Sequence, residues 1–244
     1  LSFPWLSEEE HIFFPPVEES TEEGIVAVGG NLSPGVLLSA YRQGIFPWYS
    51  EGQDILWWSP DPRFVLFTEN LKISKSMKKE IRKKKYEVVL DRNFQKVIGA
   101  CRDSVRKGQR GTWITEDMFR AYCAIHEMGW AHSVEVLDKG NLVAGLYGVS
   151  IGRVFFGESM FTRVPNGSKT ALILLTLFLK DRGFKIIDSQ DHTDHLESLG
   201  AENIRREDFY GILKKELSFP DYRGMWNRIF PEFPDSEGLR DILK

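Results

Sequence analysis

The stretch Val154-Phe-Phe-Gly-Glu-Ser-Met-Phe161, followed by Asn166-Gly-Ser-Lys-Thr170, an apolar run and Lys185-Ile-Ile-Asp-Ser-Gln190, reads as strand, loop, buried helix, strand. From Ala171 to Leu179 every position except Thr176 is apolar, so the helix is expected to be covered on most sides rather than along one stripe. Asn166 or Ser168 can cap its first turn, and Gly183 follows its end. Each flanking strand carries a carboxylate where a sheet interior is normally apolar: Glu158 closes the first and Asp188 interrupts the second. Asp188 and Gln190 are two apart and so share one face of a strand.

Working outward, Ser133 to Leu137, Leu142 to Ser150 and Arg153 to Phe156 alternate as antiparallel strands, turning first at Asp138-Lys-Gly-Asn141. With the buried helix and last strand they give β-β-β-α-β. Earlier, Arg63-Phe-Val-Leu-Phe67 and Tyr86-Glu-Val-Val-Leu90 are strands, while Val36 to Arg42, Phe94 to Cys101 and Met118 to Met128 are helices. Ser74 opens another helix. Gly108 to Trp113 is a loop, and Thr193 to Leu199 and Phe209 to Leu217 close the pattern as helices. The expected class is α+β: a small N-terminal α/β domain over 1–65, rich in Pro, Gly and Trp, a larger domain over 66–217 with a mostly antiparallel central sheet flanked by helices, and a tail over 218–244.

Composition narrows the function. The 244 residues carry a net charge of −3, so the molecule as a whole is no generic nucleic-acid binder, and any such contact needs a local patch. Two cysteines outside any C-x-x-C pattern fit a reducing compartment. No apolar run approaches the length of a membrane span, and Leu1-Ser-Phe-Pro-Trp5 lacks the basic start of a signal peptide, so a cytoplasmic protein is expected. The one strong charge run, Lys72 to Lys85, sets eight basic residues against Glu80, with Lys75, Lys79 and Arg82 along one helix face. It reads either as a solvated face or as a phosphate-binding stripe.

Gly148-Val-Ser-Ile-Gly152 matches the G-x-S-x-G nucleophile pattern, which needs a helix after the serine; a strand follows instead, so a hairpin corner is expected. Gly167-Ser-Lys-Thr170 lacks the glycine immediately before lysine that a P-loop requires. Asp191-His-Thr-Asp-His195 reads as a helix cap more readily than a metal site, and no metal is expected. Glu158, Asp188 and Gln190 are either a polar network fixing strand ends or a site in which Asp and Gln handle a proton and Glu recognises a cation. Patterning alone does not separate these.

Eight ordered motifs carry a resemblance. Gly24-Ile-Val-Ala-Val-Gly-Gly, Leu-Ser-Pro34, Ala40-Tyr41 with Gly-Ile-Phe-Pro-Trp48, Leu56-Trp-Trp-Ser-Pro-Asp-Pro-Arg63, Gly111-Thr-Trp-Ile-Thr115, Gly157-Glu-Ser-Met-Phe161, Ser168-Lys-Thr-Ala-Leu172 and Ile187-Asp-Ser-Gln190 resemble, in this order, the leucyl/phenylalanyl-tRNA-protein transferases. The likeness spans roughly residues 13 to 213. It implies a core resembling the acetyltransferase (GNAT) fold, a monomer without cofactor or membrane attachment, and transfer of Leu or Phe, less readily Met, from aminoacyl-tRNA to proteins with N-terminal Arg or Lys. The product would enter the N-degron route of protein catabolism. An acetyl-CoA enzyme on the same fold is disfavoured, because Arg163-Val-Pro-Asn-Gly-Ser168 sets its glycine one residue late for a pyrophosphate loop.

By the same resemblance Gln190 accepts or relays the amine proton with Asp188 polarising it, and Glu158 holds the cationic N-terminal side chain. A neutral amide is a poor base, so Gln190 is expected mainly to position the amine. Trp48 and Trp113 match aromatics that stack on the terminal adenine. Phe155, Met160 and Ile187 match the aminoacyl pocket, as do Leu146 and Leu175 by position, where better-known members carry Met and Phe. Lys75, Lys79 and Arg82 match the residues that meet acceptor-stem phosphates, which turns the charge run toward function. Trp57 and Trp58 are expected to be core packing.

Overall fold

The computed structural model describes residues 5, 6, 14–104 and 113–244. The expected loop at 108–112 lies outside them, as does the start of the chain up to residue 4.

A four-stranded sheet in the order β1-β2-β4-β3 is built from β1 (Trp5–Leu6), β2 (Ile25–Gly29), β3 (Phe46–Pro47) and β4 (Leu56–Trp58). The helix α1 (Pro34–Arg42) buries Val36, Leu37, Leu38, Ala40 and Tyr41. Its proline occupies the first turn, where the missing N–H costs no hydrogen bond. Trp57 is fully buried, meets Phe14 edge-on at 4.9 Å and donates its Nε1–H to Gly29 O over 2.9 Å.

The remaining strands form a mixed seven-stranded sheet in the order β11-β5-β10-β9-β8-β7-β6. These are β5 (Arg63–Phe67), β6 (Glu87–Leu90), β7 (Ala131–Asp138), β8 (Asn141–Ile151), β9 (Val154–Thr162), β10 (Ile186–Gln190) and β11 (Glu202–Ile204). Only β9 and β10 pair in parallel within it, joined through α5 (Gly167–Asp181); the other pairs are antiparallel. The expected β-β-β-α-β is therefore β7-β8-β9-α5-β10. Strand β5 pairs with both β10 and β11, so a domain boundary at 65/66 falls inside a strand of this sheet.

Period-two alternation gives the sheet two apolar faces. Val154, Phe156 and Ile186 join the core under α1, α3 (Phe94–Arg102), α4 (Glu116–Glu127) and α7 (Arg206–Glu216). Phe155, Ile187 and Leu146 join the core under α5, α2 (Lys75–Arg82) and α6 (Asp194–Glu197). Helix α5 is buried from Thr170 to Leu179, as an apolar run broken only by Thr176 requires. Asn166 is its N-cap with φ 64° and makes no side-chain capping bond, so the expected cap donates no such help.

The tail is not an appendage. It contains α8 (Trp226–Ile229) and α9 (Glu237–Leu243), and Trp226, Leu239 and Ile242 are buried in the α5 core. The Asp91 carboxylate accepts from Trp226 N at 2.8 Å, Ser133 N at 2.8 Å and the Nδ1 of His132 at 2.9 Å, and His132 stacks on the Trp226 indole at 3.9 Å. Helices of four and seven residues are too short to show an apolar period, which is why this segment reads as featureless in sequence.

Candidate active site

The site opens where two parallel strands part. Pairing of β9 with β10 runs from Val154 and Ile186 to Phe156 and Asp188, and both strands then continue without each other. Each is bulged at that point. Glu158 is the extra residue between the pairs Gly148–Gly157 and Tyr147–Ser159, and Ser189 is extra between Asp188–Val65 and Gln190–Phe64. Glu158 thus sits mid-strand in β9 instead of closing it, because the strand resumes its pairing with β8 beyond the bulge. Bulges re-aim side chains and end pairing, and here they leave a cleft of about 650 Å³.

Glu158 lines the cleft wall, as do the carboxylates Glu23 and Asp191. Its Oε1 accepts from Tyr41 at 2.6 Å and from the Gln190 carboxamide at 3.0 Å, and its Oε2 accepts from Tyr122 at 2.8 Å. Burial pushes its pKa up to about 7; the two tyrosines and Gln190 oppose that rise, and Asp188 adds to it. Both tyrosines are fully buried, and their hydroxyls also touch each other. Burial foremost, with the Glu158 charge next, raises both phenols well above their usual range.

Asp188 lies behind this wall, fully buried and absent from the cleft lining. Arg63 holds it with two hydrogen bonds, Nε to Oδ1 at 2.8 Å and Nη2 to Oδ2 at 2.6 Å. Oδ1 also accepts from Gln190 N at 3.0 Å. Gln190 has φ 64°, rare for a residue with a side chain, so Asp188 and Gln190 are brought together by a bulge and a left-handed turn instead of by simple alternation.

The cleft floor is apolar. Leu146, Phe155, Met160 and Ile187 line it. Leu175 does not: it is fully buried, and Leu172, one turn earlier on α5, lines the cleft in its place. Trp48 and Trp113 both border the opening. Trp58 also lines it, tilted against Trp48 at 5.5 Å and donating to Trp48 O at 2.7 Å, so it is a cleft residue as well as packing.

The sequence that builds this site matches known proteins. The pattern described as leucyl/phenylalanyl-tRNA protein transferase fits residues 65–214, and that of the corresponding N-terminal domain fits residues 30–61. A leucyl/phenylalanyl-tRNA--protein transferase of Syntrophus aciditrophicus is 55% identical over 224 residues, covering 92% of this chain and 93% of its own. That of Flavobacterium johnsoniae is 53% identical, covering 84% and 97%. That of Nitrosospira multiformis is 52% identical, covering 91% and 96%. The chain belongs to the leucyl/phenylalanyl-tRNA-protein transferase family. It is a transferase.

In this family member the basic helix α2 is capped by Ser74, whose side chain accepts from Met77 N, and it buries Met77 and Ile81. Lys75 and Lys79 point to solvent. Arg82 is exposed too, but its Nε donates to Ile242 O at 2.6 Å, so it is partly engaged with α9. Lys72 N bonds Leu199 O at 2.8 Å, which sets the start of the basic stretch against the end of the α6 segment whose Leu196 lines the cleft.

The other motifs find structural explanations. Ser150 lies buried within β8. A Cβ on Gly148 would stand 2.2 Å from Phe156 O, and one on Gly152, at φ 55°, would stand 2.4 Å from Glu216 O; both glycines answer to close backbone approach at a hairpin. Thr193 caps α6 by accepting from Leu196 N. Exposed His192, Asp194 and Glu197 have ligand-type atoms within 4.8 Å of one another, a set different from the pentapeptide considered in sequence. No helix among the described residues is long and apolar enough to cross a membrane.

Sequence reasoning missed Tyr41, Tyr122, Arg63, Trp58 and Leu172. A signal existed for Arg63, since an arginine opening an apolar strand needs a buried partner and Asp188 in Ile-Ile-Asp-Ser was the available one. Tyr41 stood inside one of the motifs that carry the resemblance without a role attached, and Tyr122 carried no signal beyond its place on an apolar helix face.

Proposed function

We propose that the chain moves Leu or Phe, and less readily Met, from aminoacyl-tRNA to the free α-amine of a protein whose first residue is Arg or Lys, working as a cytoplasmic monomer and delivering its product to the N-degron route. The observation that carries the reading is a single cleft that joins an apolar floor, a carboxylate and a tryptophan rim. An ester of a large apolar amino acid suits Leu146, Phe155, Met160 and Ile187, a terminal adenine suits Trp48 and Trp113, and a cationic side chain suits Glu158.

In the step itself the amine nitrogen bonds the ester carbonyl carbon, the bond from that carbon to the ribose oxygen breaks, and the proton lost by nitrogen ends on that oxygen. The ester is already activated, so orientation within the cleft supplies much of the acceleration. Gln190 faces the cleft beside Glu158 and is suited to hold the amine and relay its proton, with Asp188 behind it. Lys75 and Lys79, with Arg82 in part, would meet acceptor-stem phosphates. The parallel β9-α5-β10 unit parting at its C-terminal end supports an acetyltransferase-like core.

The test is to mix the protein with tRNA carrying labelled Leu or Phe and two peptides that differ only in an N-terminal Lys or Ala. Label on the Lys peptide alone is expected. Label on neither, with aminoacyl-tRNA still bound, would leave a tRNA-binding protein and overturn the reading.

A further inference from the structure

Arg63 and Asp188 are each fully buried, which is an expensive place for two charges unless they satisfy one another. They meet through two parallel hydrogen bonds from Nε and Nη2, the arrangement that matches a guanidinium to a carboxylate, while Nη1 makes no hydrogen bond among the described residues. The Arg63 guanidinium lies near the rings of Phe46, on β3 of the small sheet, at 4.8 Å and Phe209, on α7, at 4.7 Å. Aromatic faces at that distance favour a cation and fix where it sits. The pair therefore joins β5 to β10 and is flanked by β3 and α7, four elements distant in sequence.

The consequence falls on Gln190. Asp188 Oδ1 accepts from Arg63 Nε and from Gln190 N, and Oδ2 accepts from Arg63 Nη2. The carboxylate lines no part of the cleft, so it touches no substrate there. What it does reach is the backbone N–H of the one residue in this segment with positive φ, and that residue's carboxamide then meets Glu158 at 3.0 Å. A left-handed backbone at a non-glycine residue persists only where its surroundings over-determine it.

We propose that Arg63 is a positioning residue for the transfer: with Asp188 it forms a charge-balanced clamp that fixes the Gln190 backbone and aims its carboxamide into the cleft, and the Asp188 carboxylate itself takes no proton. This rests on the transferase reading above. Asp188 acts through geometry, its charge being offset by Arg63 at hydrogen-bond distance.

The experiment compares wild type, D188N, R63M and R63M/D188N by steady-state transfer of labelled Leu from tRNA to a Lys peptide, with the melting temperature and aminoacyl-tRNA binding of each recorded. In D188N a buried guanidinium loses its carboxylate, and displacement of Gln190 is expected to lower kcat by about 100-fold, with the KM for aminoacyl-tRNA unchanged. In the double variant the methionine fills the slot between the two rings, and the asparagine oxygen still accepts from Gln190 N. Its kcat is expected to recover to within about tenfold of wild type. R63M alone, which keeps the carboxylate, should fall about as far as D188N, roughly 100-fold.

A folded double variant that binds aminoacyl-tRNA and stays as inactive as D188N would overturn the clamp and give the carboxylate a direct part in the chemistry. An R63M enzyme with wild-type kcat would overturn it too, and this variant decides the matter if the double does not fold. Absence of transfer by wild type would instead sink the transferase reading, an outcome separate from either of these.

Discussion

The hydroxyls of Tyr41 and Tyr122, 81 positions apart in sequence, touch each other and converge on one carboxylate: Tyr41 donates to Glu158 Oε1 at 2.6 Å and Tyr122 to Oε2 at 2.8 Å. Both bonds favour the ionised carboxylate against the burial that raises its pKa to about 7. If the ionised form holds the cationic N-terminal side chain, transfer to a Lys peptide should rise with pH through about 7. Removing the hydroxyls in Y41F or Y122F removes a lowering influence, so the Glu158 pKa rises further and the acid limb of kcat/KM moves to higher pH. The peptide α-amine also titrates in this region but is the same for every variant, so the displacement between enzymes isolates Glu158. An unmoved limb in both variants would remove Glu158 from the pH response.

Trp48 is 42% exposed while Trp57 is fully buried, and the two tryptophans should separate function from stability. Stacking on a base is worth about 1–3 kcal/mol, so Trp48→Ala should raise the KM for aminoacyl-tRNA roughly tenfold with a melting temperature close to wild type. Trp57→Ala opens a large void in the core and should cost about 3–5 kcal/mol in stability. Denaturant unfolding and steady-state kinetics on the same two variants check both halves; a large loss of stability in Trp48→Ala would reassign that ring to packing.

How far the sequence was legible depends on the range of the interaction that sets each feature. Helix α5 and the hairpins of β7, β8 and β9 follow from local apolar patterning, and they stand where patterning puts them. The bulge at Glu158 is a property of register between two strands and leaves no mark in the residues of one. The Arg63–Asp188 pair spans 125 positions, so each half reads alone as an anomaly in an apolar strand. Leu175, taken by position from the resemblance, is buried while Leu172 lines the cleft, and a helix apolar on all sides has no stripe to show which leucine meets a cavity.

The basic helix makes a third test, because its three candidate residues are not equivalent. Lys75 and Lys79 point to solvent, and if each neutralises one phosphate the K75A/K79A variant should flatten the plot of log affinity for tRNA against log salt by about 1.5 to 2 units. Arg82 donates to Ile242 O near the end of α9, so Arg82→Ala should additionally cost about 1 kcal/mol and expose α9 to protease or hydrogen exchange. Fluorescence titrations at several salt concentrations give the slopes. An unchanged slope in K75A/K79A would return the charge run to a solvated face.

The Asp91 hub gives the last prediction, on stability against pH. His132 is buried, stacked on Trp226 and bonded through Nδ1 to Asp91. Burial holds its pKa below the usual histidine value, although Asp91 pulls the other way. The folded protein therefore binds this proton less readily than the unfolded chain, whose histidine titrates near about 6.5. Its contribution is fully present above that value and is lost as pH falls toward the depressed folded value, so the melting temperature should drop on acidification below about 6.5. Glu158, raised by burial from 4.5 to about 7, has the opposite sign and weakens the fold as pH rises across that range, so it offsets part of the His132 dependence, and the difference between wild type and H132N isolates the histidine. In H132N the asparagine amide can still donate to Asp91 but does not titrate, so the acid-side slope should flatten. Thermal unfolding of wild type and H132N across that range decides it, and parallel slopes would show that the acid loss arises elsewhere.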